Sequence, residues 1–139
     1  MKRIAVALLA LTLVAVPAAF AAKLKAPAKA QVGDKVTARA SDLKSGKYTL
    51  RLVADDQPQG PRSFCAARLA GPKKTTKSRR VKLRGTIPKK LSCYENNSVR
   101  LGRVNVTPGS YHLVVAVQLG PTGSKPEYSF VRHALTIKR

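Results

Sequence analysis

The apolar residues of this chain recur mostly at every second position, and the clearest case lies between Val106 and Leu119. After a Pro108-Gly109 turn, Tyr111, Leu113, Val115, Val117 and Leu119 alternate with His112, Val114, Ala116 and Gln118. Successive side chains of a strand point to opposite faces. Both faces of this run are largely apolar, which predicts a central strand of a packed sheet.

Weaker alternation predicts the other strands. From Lys35 to Ser41, Val36, Ala38 and Ala40 oppose Lys35, Thr37, Arg39 and Ser41, a half-exposed strand with its cations in water. Tyr48, Leu50 and Leu52 give the inward face of a strand that runs to Ala54. Further strands are expected from Phe64 to Leu69, where Ala70-Gly71-Pro72 breaks the run, from Arg80 to Ile87, and from Leu91 to Tyr94. Val99 to Val106 follows, with a bulge expected at Gly102. Tyr128 to Lys138 comes last, with Val131, His133, Leu135 and Ile137 on one face. Lys23 to Gln31, broken by Pro27, suits an edge. Clusters of Gly, Pro, Asn and Asp at 55–62, 95–98 and 120–126 read as turns. From residue 22 onward no window of eleven residues keeps helical periodicity with a cap, so the expected class is all-β, seven or eight short strands in two antiparallel sheets packed as a sandwich.

Two of these strands share an entry pattern. Leu43, Gly46, Tyr48, Leu50 and Leu52 fall at the same spacing as Val106, Gly109, Tyr111, Leu113 and Val115. Gly46 and Gly109 are expected to supply the positive φ of a tight turn. Tyr48 and Tyr111 are expected to bury their rings while their hydroxyls reach back to the backbone.

The first residues change the picture of where this domain works. Met1-Lys2-Arg3 precedes an apolar run from Ile4 to Val16, then Pro17 and Ala19-Phe20-Ala21. A charged start, an apolar run of about a dozen residues and small residues at the cut site read as a signal peptide over 1–21, bacterial in its alanine-rich composition. The run is short of the roughly 20 residues a membrane span needs. Residues 22–139 then form one domain of a secreted, periplasmic or cell-surface protein.

Charge changes it again. The chain carries 27 Lys and Arg against 6 Asp and Glu, a formal charge of +21. Losing Lys2 and Arg3 with the leader brings +21 to +19. That imbalance exceeds what solubility requires and points to a polyanionic neighbour: a cell-wall polymer, an anionic membrane surface, a polysaccharide or nucleic acid.

Cys65 and Cys93 in an exported chain are most simply a disulfide. A free thiol pair is the competing reading, and the CxxC spacing of redox enzymes is absent. Between them, from 66 to 92, lie ten cations and no acid: Arg68, Lys73, Lys74, Lys77, Arg79, Arg80, Lys82, Arg84, Lys89 and Lys90. This segment reads as a basic loop tied at its neck, an anion-binding site whose affinity would fall steeply with salt. The competing reading is a solvated hairpin that keeps the protein in solution. Arg79, Arg80 and Arg84 suit bidentate contacts, the lysines diffuse attraction. The run has no aromatic residue, Phe64 and Tyr94 lying just outside it, so nucleic acid is expected to bind only non-specifically.

His112 and His133 are the only histidines. A secreted nuclease using both for acid–base chemistry is the alternative they allow, without support from their spacing. Two histidines and a cystine make no metal cluster, and no cofactor motif is present. The expected protein is therefore not an enzyme.

Val106-Thr107-Pro108-Gly109-Ser110-Tyr111-His112-Leu113-Val114-Val115 resembles the turn-plus-tyrosine entry to a late strand in fibronectin type III-like and bacterial immunoglobulin-like domains. The resemblance implies an immunoglobulin-like sandwich used for adhesion, binding or scaffolding, by analogy of fold. The chain departs from true immunoglobulin domains in lacking tryptophan and in having its cysteines only 28 positions apart, so their bridge is not that family's inter-sheet disulfide. A structural module with an envelope protein as partner, its charge incidental, is the second function class.

Overall fold

A computed structural model of the protein describes residues 22–55, 63–95, 99–117 and 130–139. Its strands, in chain order, are β1 (Lys23–Lys25), β2 (Lys29–Ala30), β3 (Lys35–Ser41), β4 (Lys47–Ala54), β5 (Ser63–Lys74), β6 (Val81–Thr86), β7 (Lys90–Glu95), β8 (Val99–Asn105), β9 (Gly109–Val117) and β10 (Phe130–Ile137). There is no helix among the described residues. The expected leader, the loop at 56–62 and the turns at 96–98 and 120–126 lie outside them.

The strands form two sheets, neither closed into a barrel. One has three strands in the order β1-β3-β6, the other seven in the order β2-β10-β9-β4-β5-β7-β8. β9 lies inside the larger sheet between β10 and β4, as its two apolar faces require. Every pairing is antiparallel except β2 with β10, which is parallel.

Alternation places one core between the sheets. Val36, Ala38 and Ala40 of β3 and Val81 and Leu83 of β6 join Tyr48, Leu50, Leu52, Leu113, Val115, Leu135 and Ile137 of the larger sheet in a single buried cluster. Burying a leucine or valine side chain stabilises by roughly 1.5–3 kcal/mol. β3 contributes mainly alanines, so the larger sheet supplies most of the apolar volume.

β5 departs from the sequence reading. Ala70-Gly71-Pro72 was expected to end it, yet the strand continues to Lys74. Its pairing with β4 slips twice: Arg51 opposes Arg68, Leu50 opposes Ala70, and Tyr48 opposes Lys73. The extra residues are bulges in β5, and bulges bend the strand that carries them. Gly71, at φ +90, sits in the second slip, where a Cβ would stand 2.6 Å from the Tyr48 carbonyl oxygen. A second close approach joins the sheets: a Cβ on Gly85 of β6 would lie 2.6 Å from both Cβ and the carbonyl oxygen of Leu69. Glycine is the residue that fits where backbones meet at this distance.

The doubled tyrosine device is built from hydrogen bonds to the backbone four residues upstream. Tyr48 Oη donates to the Lys44 carbonyl at 2.8 Å. Tyr111 Oη donates to the Thr107 carbonyl at 2.8 Å and accepts from the Thr107 N–H at 3.1 Å. Both rings are buried. The glycines differ: Gly109 has φ +152, whereas Gly46 has no positive φ, and the left-handed residue before β4 is Asp42 at φ 56. The positive φ expected at Gly46 is therefore absent. Tyr111→Phe strands both a donor and an acceptor of Thr107, Tyr48→Phe only one acceptor. Urea unfolding is expected to show a loss of about 2 kcal/mol for the former and about 1 kcal/mol for the latter; the reverse order would contradict the bonding described.

Candidate functional site

Residues 66–92, expected as a loop, are the second part of β5, a turn, β6 and the start of β7. Leu69, Val81, Leu83, Ile87 and Leu91 are at least partly buried. An all-polar loop would need no such alternation; here apolar residues between the cations hold the segment in both sheets. The cysteines are bonded, with sulfurs 2.02 Å apart. They face each other across β5 and β7, neighbours in one sheet, and both are buried in the core. The bridge is thus inside the protein rather than at the neck of a loop.

The cations are sorted by strand geometry. On the outer face of the small sheet, register places Lys25 of β1 opposite Arg39 of β3, and Arg39 opposite Lys82 of β6. Lys73 and Lys74 at the end of β5 and Arg80 before β6 complete the lining of an open groove of about 640 Å³, with Ser41 and Thr76 as its neutral polar members. Lys73 Nζ donates to the Lys82 carbonyl at 3.0 Å, which ties β5 to the otherwise unpaired edge of β6. Six cations meet there, and among the described residues no acid lines the groove. None of the six forms an ion pair among the described residues.

Of the predicted binding residues, Lys73, Lys74, Arg80 and Lys82 come together in this groove. Arg84 lies one row along the same face, opposite Thr37. Lys77 and Arg79 occupy the turn between β5 and β6. Arg79 has φ 57, its N–H donates to the Thr76 carbonyl, and its own carbonyl accepts from the Leu43 N–H. Lys89 and Lys90 lie outside the groove lining, at the start of β7, where the Lys89 carbonyl accepts from the Val106 N–H. Lys25 and Arg39 were not predicted, because only strand pairing brings them beside Lys82.

Two of the acids have other work. Asp34 Oδ2 accepts from the Gln31 N–H at 2.8 Å and closes the turn before β3. Asp55 pairs with His112 through Oδ1 and Nδ1, a contact between residues 57 apart in sequence. His112 is on the outward face of β9, while His133 shares the inward row of β10 with Leu135 and Ile137. The two histidines therefore do not form one acid–base pair. His133 Nδ1 is buried without a hydrogen-bond partner. Among the described residues no group of three or more His, Cys, Asp or Glu is placed to hold a metal ion.

No family model matches the chain, and no curated protein matches it. Among solved structures it is similar to macromomycin, with a TM-score of 0.60 at 14% sequence identity over 85% of this chain and 100% of macromomycin. At that identity the likeness extends to the fold: this chain is an all-β protein of two sheets, as its own strand pairing shows.

Proposed function

We propose that this protein is an exported, non-catalytic module of immunoglobulin-like sandwich type that holds an anionic polymer in the groove of Lys25, Arg39, Lys73, Lys74, Arg80 and Lys82. The observation that carries the reading is the row Lys25–Arg39–Lys82, aligned by register with no carboxylate among the described residues lining the groove. Like charges directly opposite on one sheet face are destabilising by roughly 0.2–1 kcal/mol per pair. A bound anion would offset that repulsion and gain affinity from it. A polymer suits an open groove better than a single small ion, since successive anionic groups can reach successive strands. Arg39 and Arg80 offer planar forks for phosphate or carboxylate, and the four lysines offer diffuse attraction. The immunoglobulin-like assignment is supported by the two buried tyrosines bonded to upstream backbone, a device of such sandwiches. The export reading rests on residues 1–21, and an envelope or extracellular setting would supply the polymer.

Retention on immobilised polyphosphate and on an anionic phospholipid vesicle, measured against salt, tests this. Lys25→Gln, Arg39→Gln and Lys82→Gln together should reduce the slope of log affinity against log salt by about three. The triple change Lys77→Gln, Lys89→Gln and Lys90→Gln removes the same charge outside the groove and should reduce it by less than one. Equal effects of the two triples would overturn the groove as the site, and no effect of either would leave a module whose charge is incidental.

A further inference from the structure

The lysine-rich groove runs along the small sheet and the far end of β5, and the outward side of the larger sheet carries a different basic face. On its outward side Arg51 of β4 opposes Arg68 of β5, and Phe64 of β5 opposes Tyr94 of β7. The next strand continues the row, Tyr94 standing opposite Arg100 of β8. The Phe64 and Tyr94 rings are stacked, with centroids 5.5 Å apart and planes at 26°. Arg51, Arg68, Phe64 and Tyr94 wall an open hollow of about 430 Å³ whose floor is Ala66 and Ala67.

Each component of this hollow has a separate chemical meaning. Both aromatic residues are half-buried, so they are held by the sheet yet still reach solvent. Arg51, Arg68 and Arg100 are exposed. Among the described residues no carboxylate lines the hollow and none of these three arginines forms an ion pair. The alanine floor leaves room between the arginine pair and the aromatic pair. Arginine differs from lysine in having a planar, weakly hydrated fork that pairs with phosphate bidentately and stacks on flat π systems. An aromatic platform flanked by cations on the open face of a sheet is what unpaired bases stack on, sequence-tolerantly, while their phosphates are neutralised alongside.

We propose that this hollow is a binding site for single-stranded nucleic acid. A base stacks on the Phe64–Tyr94 pair and its phosphates meet Arg51, Arg68 and Arg100. The aromatic residues absent from the basic run itself are supplied by the positions flanking the two cysteines, which the disulfide register brings side by side. No residue lines both this hollow and the lysine groove. A polyanion without bases would use only the charges of this face. A single strand uses the rings as well.

Fluorescence anisotropy of the disulfide-bonded protein with a labelled oligothymidylate, and with an abasic phosphodiester of the same length, isolates the contribution of the bases. Stacking is worth roughly 5- to 150-fold per base, so the oligothymidylate is expected to bind at least about fivefold more tightly. Phe64→Leu with Tyr94→Leu keeps apolar bulk on the sheet and should bring that ratio close to one while leaving abasic binding within about twofold. Tyr94→Phe should keep the preference. The triple change Lys25→Gln, Arg39→Gln and Lys82→Gln should weaken binding to both probes equally and leave the ratio intact, which separates this site from the polymer groove. Equal binding of both probes by the unaltered protein would overturn the proposal. So would a preference that survives the double leucine change or is lost in Tyr94→Phe, or displacement of the oligothymidylate by a sulfated polysaccharide at equal charge concentration.

Discussion

Replacing Cys65 and Cys93 together by alanine is expected to lower the free energy of unfolding by about 3.6 kcal/mol, the chain-entropy value for a bridge spanning 28 positions. The cysteines oppose each other in a ladder that Ser63, Phe64 and Ala66 also join, so the β5–β7 register has other supports when the bond is gone. The native strand pairing should survive, and the loss should fall mainly on the unfolded chain, which gains the freedom the bond denied it. Against a total of roughly 5–15 kcal/mol for a domain of this size, that is a large share. The midpoint of thermal unfolding should drop by roughly 10–20 °C. Urea unfolding of the oxidised protein, the reduced protein and the double alanine variant measures it; a loss below about 1 kcal/mol in both altered forms would contradict the assignment.

The second large effect is expected at Gly71, and Gly33 provides its control. The two have almost the same backbone, φ +90 and φ +92, but a Cβ on Gly33 would meet nothing within 4 Å, whereas one on Gly71 would stand 2.6 Å from the Tyr48 carbonyl oxygen and 3.1 Å from the Thr49 Cα. Gly33→Ala should therefore cost only the left-handed penalty, about 1–2 kcal/mol. Gly71→Ala adds the cost of pushing β5 away from β4 where the strand bends, for a total of about 3–5 kcal/mol. Both are read by chemical denaturation. Similar losses at the two sites would mean that the bend in β5 yields, and that the close approach places no demand on the residue there.

The strands could be read from the sequence wherever alternation was strong. β3, β9 and β10 follow it closely, because a strand with one buried face must repeat every two positions, whereas β4 departs at Thr49, which is buried between Tyr48 and Leu50. β5 resisted the same reading because Gly71-Pro72 is a local signal of a break, while bulging is decided by the neighbours that β5 meets. The basic segment was visible as charge but not as a surface. Lys82 was marked out by its surroundings in sequence, yet Arg39 and Lys25 join it only through two strand pairings, and the alternation of Lys35, Thr37 and Arg39 reads equally well as an ordinary wet face. The partnership of Asp55 with His112 had no local signal at all. Phe64 and Tyr94 are a different case: once Cys65 and Cys93 are paired across antiparallel strands, their neighbours must oppose each other, so the aromatic pair was implicit in the disulfide.

The pairing slip between β7 and β8 also bears on how this protein behaves among copies of itself. β8 is the outer edge of the larger sheet, where backbone donors and acceptors without a neighbour invite another strand to add. Its register shifts between Cys93 and Tyr94, Gly102 beside the shift takes φ +131, and Arg100 and Arg103 flank it, so the edge is twisted and charged. The other margins are guarded too: β2 has only two residues, β1 is three residues long with lysines at both ends, and β6 is tied to β5 by Lys73. A protein whose described residues are mostly strand thus offers no long, flat, neutral edge among them on which sheet growth could start.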